Sequence, residues 1–306
     1  MKNPVLKKEM KLTVRTRKTV WGLFLFNAAL ALCGLFAFYI MFDSSVNATI
    51  NYSDMLMLYV MIVVLEMCLV AYIVPSVTAS SIAGEREKQT LEILLTTALK
   101  PGQIIWGKLV SSISTLLLYI LSGLPILAIV FSVGGIEIVD LIQVMLYIFV
   151  LAIFFGSFGI LFSCLFKKSM VATICTYGMV IITALGPYIF KWTVYVVHQI
   201  NMVTSNSNAD PNAGASVALG LLSPMESVIA LICAQIGSGD IFTDMCIPGD
   251  VTNTIWSHAT PEIWFGISVV VQLLVSVGVL CLAAKRLNPI KKVRKSKRKL
   301  NEAKEA

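Results

Sequence analysis

An all-α integral membrane protein with six transmembrane helices is the fold class this sequence predicts, and three observations predict it. Hydrophobic residues make up 57% of the chain and charged residues 13%, with a mean hydropathy of +0.84, whereas a soluble domain needs about 25% charge to cover its surface. Six apolar runs, at 20–42, 55–74, 104–131, 141–166, 171–190 and 263–282, are each long enough to cross about 30 Å of hydrocarbon. The basic residues segregate, with 23 of the 24 Lys and Arg lying before the first run, around the second connection, in the fourth connection or after the last run. Short basic flanks stay cytoplasmic during insertion, so both termini are expected inside, and the net charge of +7 is a topology signal first. A single polytopic domain over 1–306 follows, with no room for a separate soluble enzyme.

The lead, 1–19, is too long and too charged for an ordinary signal peptide, so the first run is expected to stay as a helix. Leu6, Met10 and Val14 recur every four residues among its basic residues, a pattern for lying along the inner headgroups, with disorder left open. Asn27 is a candidate interhelical hydrogen-bond partner in the first span, as is Gln272 in the last. Asn47 and Asn51 open N-x-S/T patterns in an outer loop, a pattern common by chance. Glu66 lies near the centre of the second run, where a carboxylate costs about 3 kcal/mol on insertion scales and is expected to face the bundle interior. Lining a path, binding a proton, or standing as a protonated acid bonded to a neighbouring helix all remain open for it.

The second connection, within 79–103, is amphipathic. Leu91, Leu94, Leu95, Ala98 and Leu99 fall on one helical stripe, while Glu85, Arg86, Glu87, Lys88, Gln89 and Glu92 supply the polar side and the first turns. Lys100-Pro101-Gly102 is expected to stop this helix. By periodicity alone it fits an interfacial helix that anchors its neighbours. Gly102 to Lys108 imitates a phosphate-binding G-x-x-x-x-G-K loop, but Leu109 stands where a Ser or Thr should meet magnesium, and no strand precedes it. ATP binding by this chain is therefore not expected.

Pro125 and Pro187 are positioned to kink the third and fifth spans, and Gly156 and Gly159 permit close helix approach in the fourth. Lys167 and Lys168 fill the fourth connection. The outer connection, 191–262, begins polar and then offers Ser223-Pro224-x-Glu226, a capping box with proline at the first helical position. A helix over 224–236 is expected there, too short to cross. Cys233 and Cys246 share this connection, so a disulfide is permitted though not required; the other five cysteines sit in apolar runs as packing residues. His198 and His258 lack companion ligands, and no catalytic set or metal-ligand spacing occurs. The basic tail, 285–306, reads as a solvated segment facing anionic lipid headgroups, with no nucleic acid as partner.

The run Gly84-Glu85-Arg86-Glu87, Thr90-Leu91-Glu92, Leu94-Leu95-Thr96-Thr97, then Pro101 and Gly107-Lys108, resembles the cytoplasmic segment of ABC-2 type permeases. The opening NPVLKKEMK and the stretch holding Gly159, Ser163 and Ala172 resemble that family more weakly. The resemblance implies the membrane-spanning subunit of an ATP-driven transporter, an exporter, paired with a second copy or a related permease in the plasma membrane, bacterial by expectation. ATP and magnesium would sit in a separate ATPase subunit. Glu85, Arg86, Glu87, Lys88, Thr90 and Glu92 would form the coupling interface to that ATPase, with Lys167 and Lys168 as a smaller second contact or as plain topology signal. The transported substrate is not readable. A membrane anchor or assembly protein without ATPase partner, and an ion-coupled carrier using Glu66, are the competing classes.

Overall fold

The computed structural model describes residues 17–44, 52–90, 101–134, 137–205, 218–237, 241–242 and 260–287. The principal helices are α1 (Arg17–Ser44), α2 (Tyr52–Glu87), α3 (Pro101–Gly134), α4 (Ile138–Leu165), α5 (Ser169–Ser205), α6 (Pro224–Ile236) and α7 (Pro261–Leu287). All but α6 contain a stretch long and apolar enough to cross a membrane, six candidate spans among the described residues. The chain is an all-α, multi-pass integral membrane protein. With 13 residues, α6 is too short to join them, and it occupies the segment where the sequence placed a short helix. Prolines open α3, α6 and α7, in the first turn, where a missing N–H leaves no intrahelical bond unmade and the ring's fixed φ suits the helix.

Two helices outrun their apolar runs. α2 has 36 residues and continues past Val74 through a small, polar stretch, because Thr78, Ala79, Ile82 and Ala83 are fully buried there and tertiary packing overrides weak local propensity. α5 has 37 residues and reaches Ser205, so Lys191, expected in the outer connection, lies inside a helix. Pro75, Pro125 and Pro187 all sit within continuous helices.

α2 is the hub, packed on α1, α3, α4, α5 and α6, with its most extensive interface on α4. The main core gathers Phe26 and Leu30 of α1, Ile62, Val63 and Val70 of α2, Leu116 and Ile120 of α3, and Tyr147, Leu151 and Phe155 of α4. A second cluster, Ile82, Ile105, Leu109, Cys164 and Ala283, seals the end where α2 stops and α3 begins. α1 and α5 expose large apolar side chains, among them Trp21, Phe24, Leu35, Ile174, Ile181 and Ile189, as surfaces bathed in lipid or meeting another membrane chain do. Asn27 donates its amide to Ser122 Oγ at 2.9 Å, and Gln272 donates to Ser227 Oγ at 2.9 Å. Both are the interhelical partners their positions suggested.

Candidate functional site

The family-like acidic and basic triplet closes α2, and each of its side chains ties down a different helix end. Glu85 pairs with Lys108 of α3 at 2.5 Å, with the two side chains 27% and 8% exposed. Arg86 donates to the carbonyls of Phe166 at 3.0 Å and Cys164 at 3.2 Å, so a cation satisfies the last carbonyls of α4, where helix geometry leaves them orphaned and the dipole favours positive charge. Glu87 accepts the N–H of Ser169 at 2.8 Å, an anion on the first turn of α5. One turn back, Ser163 Oγ of α4 accepts the N–H groups of Ile82 at 2.9 Å and Ala83 at 2.8 Å. Four helices thus meet at one junction.

This placement corrects the expectation that Glu85, Arg86 and Glu87 begin a separate amphipathic helix. They are the last turn of α2, committed to contacts within the chain because burial carries α2 on to Glu87. Beyond them the backbone turns: Lys88 N–H reaches Gly84 O at 3.2 Å, Gln89 N–H reaches Arg86 O at 3.1 Å, and Gln89 takes φ 58°. Lys88, Gln89 and Thr90 are exposed. Glu92 and the stripe from Leu91 to Leu99 lie outside the described residues. Lys167 and Lys168 are exposed in the turn between α4 and α5. The P-loop-like stretch from Gly102 to Lys108 is helical within α3 and not the glycine-rich loop between a strand and a helix that the motif requires. Because left-handed backbone strains a residue with a side chain by roughly 1 kcal/mol, Gln89→Gly is expected to raise stability by about that amount, read as a higher thermal midpoint in detergent.

Glu66 is fully buried, and neither carboxyl oxygen has a hydrogen-bond partner among the described residues. It sits against α3 and α1: a Cβ at Gly123 would stand 2.9 Å from Glu66 Oε1 and 3.4 Å from Leu30 Cδ1. The carboxyl faces the bundle interior, as expected, in a space that the absent side chain of Gly123 leaves.

At the opposite end of α2 from the junction, α6 touches four spans. Tyr59 of α2 donates to Gln235 Oε1 at 2.9 Å, and Gln235 Nε2 donates to the Asp140 carbonyl of α4 at 3.1 Å. Tyr147 of α4 donates to Pro224 O at 3.0 Å, and Gln272 of α7 reaches Ser227. The expected capping box does not form. Ser223 makes no side-chain cap bond and instead donates to Ala184 O of α5 at 3.0 Å. Glu226 turns to Lys191 of α5, Oε1 to Nζ 2.7 Å, with the two side chains 0% and 2% exposed. Burial raises the Glu226 carboxyl above the ordinary range, and the Lys191 ammonium opposes that shift. Gly220 makes the pair possible, since any Cβ there would collide with the Glu226 carboxylate. Gly237 ends α6 at φ 72°, the left-handed cap that glycine favours. Cys233 is buried in α6; Cys246 and His258 fall outside the described residues, as does the side chain of His198.

Sequence reasoning missed Ser163, Lys191, Gln235 and Tyr147 as structural partners. For Ser163 a signal existed, because Gly159 and Ser163 are small residues four apart, the spacing that lets membrane helices touch. Lys191 is the one Lys or Arg of the sequence that lies outside its basic clusters. Among the described residues no three His, Cys, Asp or Glu side chains are grouped to hold a metal.

No curated protein matches the sequence. A family model described as an ABC-2 family transporter protein matches residues 3–284, most of the chain, from before the first candidate span into the last turn of the sixth. This chain belongs to the ABC-2 family of transporter membrane proteins.

Proposed function

We propose that this chain is the permease subunit of an ATP-driven exporter, forming a path across the plasma membrane of a bacterium together with a second copy or a related permease. The family match over 3–284 carries the reading. Both termini are cytoplasmic in this proposal, because the lead, 1–19, and the tail, 285–306, hold most of the basic residues. Residues 79–103 form the coupling segment, and α6 lies in the connection on the outer face. ATP and magnesium are held by a separate ATPase, and this chain performs no chemistry. The energy enters by contact, since only differential binding of two states biases a conformational equilibrium.

Within the coupling segment the reading divides the labour between two groups of residues. Lys88 and Thr90, exposed beyond the end of α2, and Glu92 after them meet the ATPase. Glu85, Arg86 and Glu87 join that contact to the ends of α3, α4 and α5. Lys167 and Lys168, exposed in the two positions before Ser169, are a second contact on the same side.

The test is affinity purification of the chain in detergent with identification of the proteins that accompany it. An ATPase with a complete P-loop is expected to co-purify. The charge-reversed pair Lys88→Glu with Glu92→Lys is expected to reduce its recovery at least tenfold while leaving the thermal midpoint of the permease unchanged. Recovery of no ATPase with the unaltered chain sinks the transporter reading in favour of an anchor. Undiminished recovery with the reversed pair sinks the docking assignment alone.

A further inference from the structure

Among the described residues the bundle buries two carboxyl groups completely, Glu66 and Glu226, and it treats them differently. Glu226 has the Lys191 ammonium 2.7 Å away. Glu66, also 0% exposed, has no hydrogen-bond partner on either oxygen among the described residues, and Gly123 of α3 and Leu30 of α1 lie beside it. The polar side chains nearest along those two helices, Asn27 and Ser122, are bonded to each other at 2.9 Å. An isolated carboxylate in such a place forfeits its hydration without a counter-charge, a penalty large enough that the group takes up a cation instead.

The identity of that cation follows from what surrounds the site. A metal ion of the hard, oxygen-seeking kind needs about six oxygen ligands. The atom nearest a Cβ at Gly123 after the carboxyl oxygen is the Leu30 methyl, which ligates no metal, and neither carboxyl oxygen has a polar partner among the described residues. A proton needs one oxygen. The charged residues on the helices that pack against α2 are engaged elsewhere or lie at helix ends. Arg17, Lys18 and Asp43 lie in the terminal turns of α1, and Asp140 lies in the first turn of α4. Lys108 of α3 is joined to Glu85, and Lys191 of α5 to Glu226 of α6. Tyr119 and Tyr147, buried in the same core, are neutral phenols at ordinary pH.

We propose that Glu66 is a proton-binding site of the bundle, carrying the neutral acid while α1, α2 and α3 are packed as here, and releasing its proton when water reaches it between those helices. Gly123 is part of the site because its missing side chain provides the room. The closed packing then binds this proton more tightly than any opened state does. By linkage, lowering the pH favours the closed packing and raising it favours opening. This consequence applies to the permease cycle proposed above, whereas the proton site itself does not depend on that reading.

The experiment is infrared difference spectroscopy of the unaltered chain against Glu66→Gln, each reconstituted in lipid at neutral pH. Glutamine matches the neutral acid in shape and charge, so the variant is expected to fold with an unchanged thermal midpoint. The expected result is loss of a protonated-carboxyl C=O band, with the carboxylate bands retained. Loss of a carboxylate band with no change in the protonated-carboxyl region overturns the proposal. Should the glutamine variant not fold, modification of the unaltered chain by an apolar carbodiimide gives the second measurement. There the acid's proton moves to a carbodiimide nitrogen, the carboxyl oxygen bonds to the central carbon, and rearrangement leaves a stable N-acylurea. Labelling of Glu66 that persists at about pH 8, well above the ordinary carboxyl range, supports the site; labelling that is lost as the pH rises through that ordinary range refutes it.

Discussion

Replacing Lys191 with methionine is expected to lower the stability of the bundle by about 3–5 kcal/mol, whereas replacing it together with Glu226→Leu is expected to bring the chain back to within about 1 kcal/mol of the original. The asymmetry comes from burial. Lys191 and Glu226 are 2% and 0% exposed and 2.7 Å apart, so each meets the other's charge in a medium that screens little. Removing Lys191 leaves the Glu226 carboxyl buried beneath Gly220 without its ammonium, and an orphaned buried charge costs far more than the pair contributes over two apolar groups of similar volume. The measurement is a double-mutant cycle on resistance to unfolding in detergent. Equal losses in the single and double variants would show that the residues act through packing and not through charge. The effect should be felt at α6, because the pair fastens that helix to α5 while Gln235, Pro224 and Ser227 fasten it to α2, α4 and α7.

That pair also marks where the sequence stopped being legible. Apolar runs announced the six spans to within a few residues at most of their ends, since twenty consecutive apolar residues have few other uses. α6 was legible from Pro224 to the glycine that follows it. Its Ser223 and Glu226 were not, because a capping box is a local motif and both side chains are claimed by α5, which is distant in sequence. The triplet from Glu85 to Glu87 misled in the same way. Charge at the end of an apolar run suggests a solvent face, yet each group has a partner on another helix end. What one sequence reports well is burial on average and local chemistry. Partners across helices depend on register, which here is set by small residues such as Gly159 and Ser163: their spacing announces a close approach, but only the facing helix shows that Thr78, Ile82 and Ala83 are what they meet.

Gly159→Leu is the substitution expected to damage the fold most directly. A Cβ at position 159 would collide with Thr78 Oγ1, and it would stand 2.8 Å from Thr78 Cβ and 3.3 Å from the backbone nitrogen of Ala79. Thr78 is fully buried, and its hydroxyl donates to Val74 O at 2.8 Å, so it has little freedom to turn aside. Even alanine therefore forces α2 and α4 apart. Leucine does so by several ångströms along their most extensive interface, breaking the two bonds that Ser163 accepts from Ile82 and Ala83 one turn away. Overpacking alone costs about 1–3 kcal/mol, and the two lost bonds add about 1 kcal/mol each, so little folded chain is expected to survive solubilisation. Gly159→Ala should be milder, and adding Thr78→Ala should recover part of its loss by removing the colliding hydroxyl. Gly178→Ala is the control: nothing lies within 4 Å of a Cβ there, and alanine is the better helix former by about 1 kcal/mol. If monodisperse yield and thermal midpoint fall as much for Gly178→Ala as for Gly159→Ala, the contact between α2 and α4 is not what positions Arg86 and Glu87 over the ends of α4 and α5. If only the Gly159 variants fall, the close approach of these two helices is the foundation on which the whole junction rests.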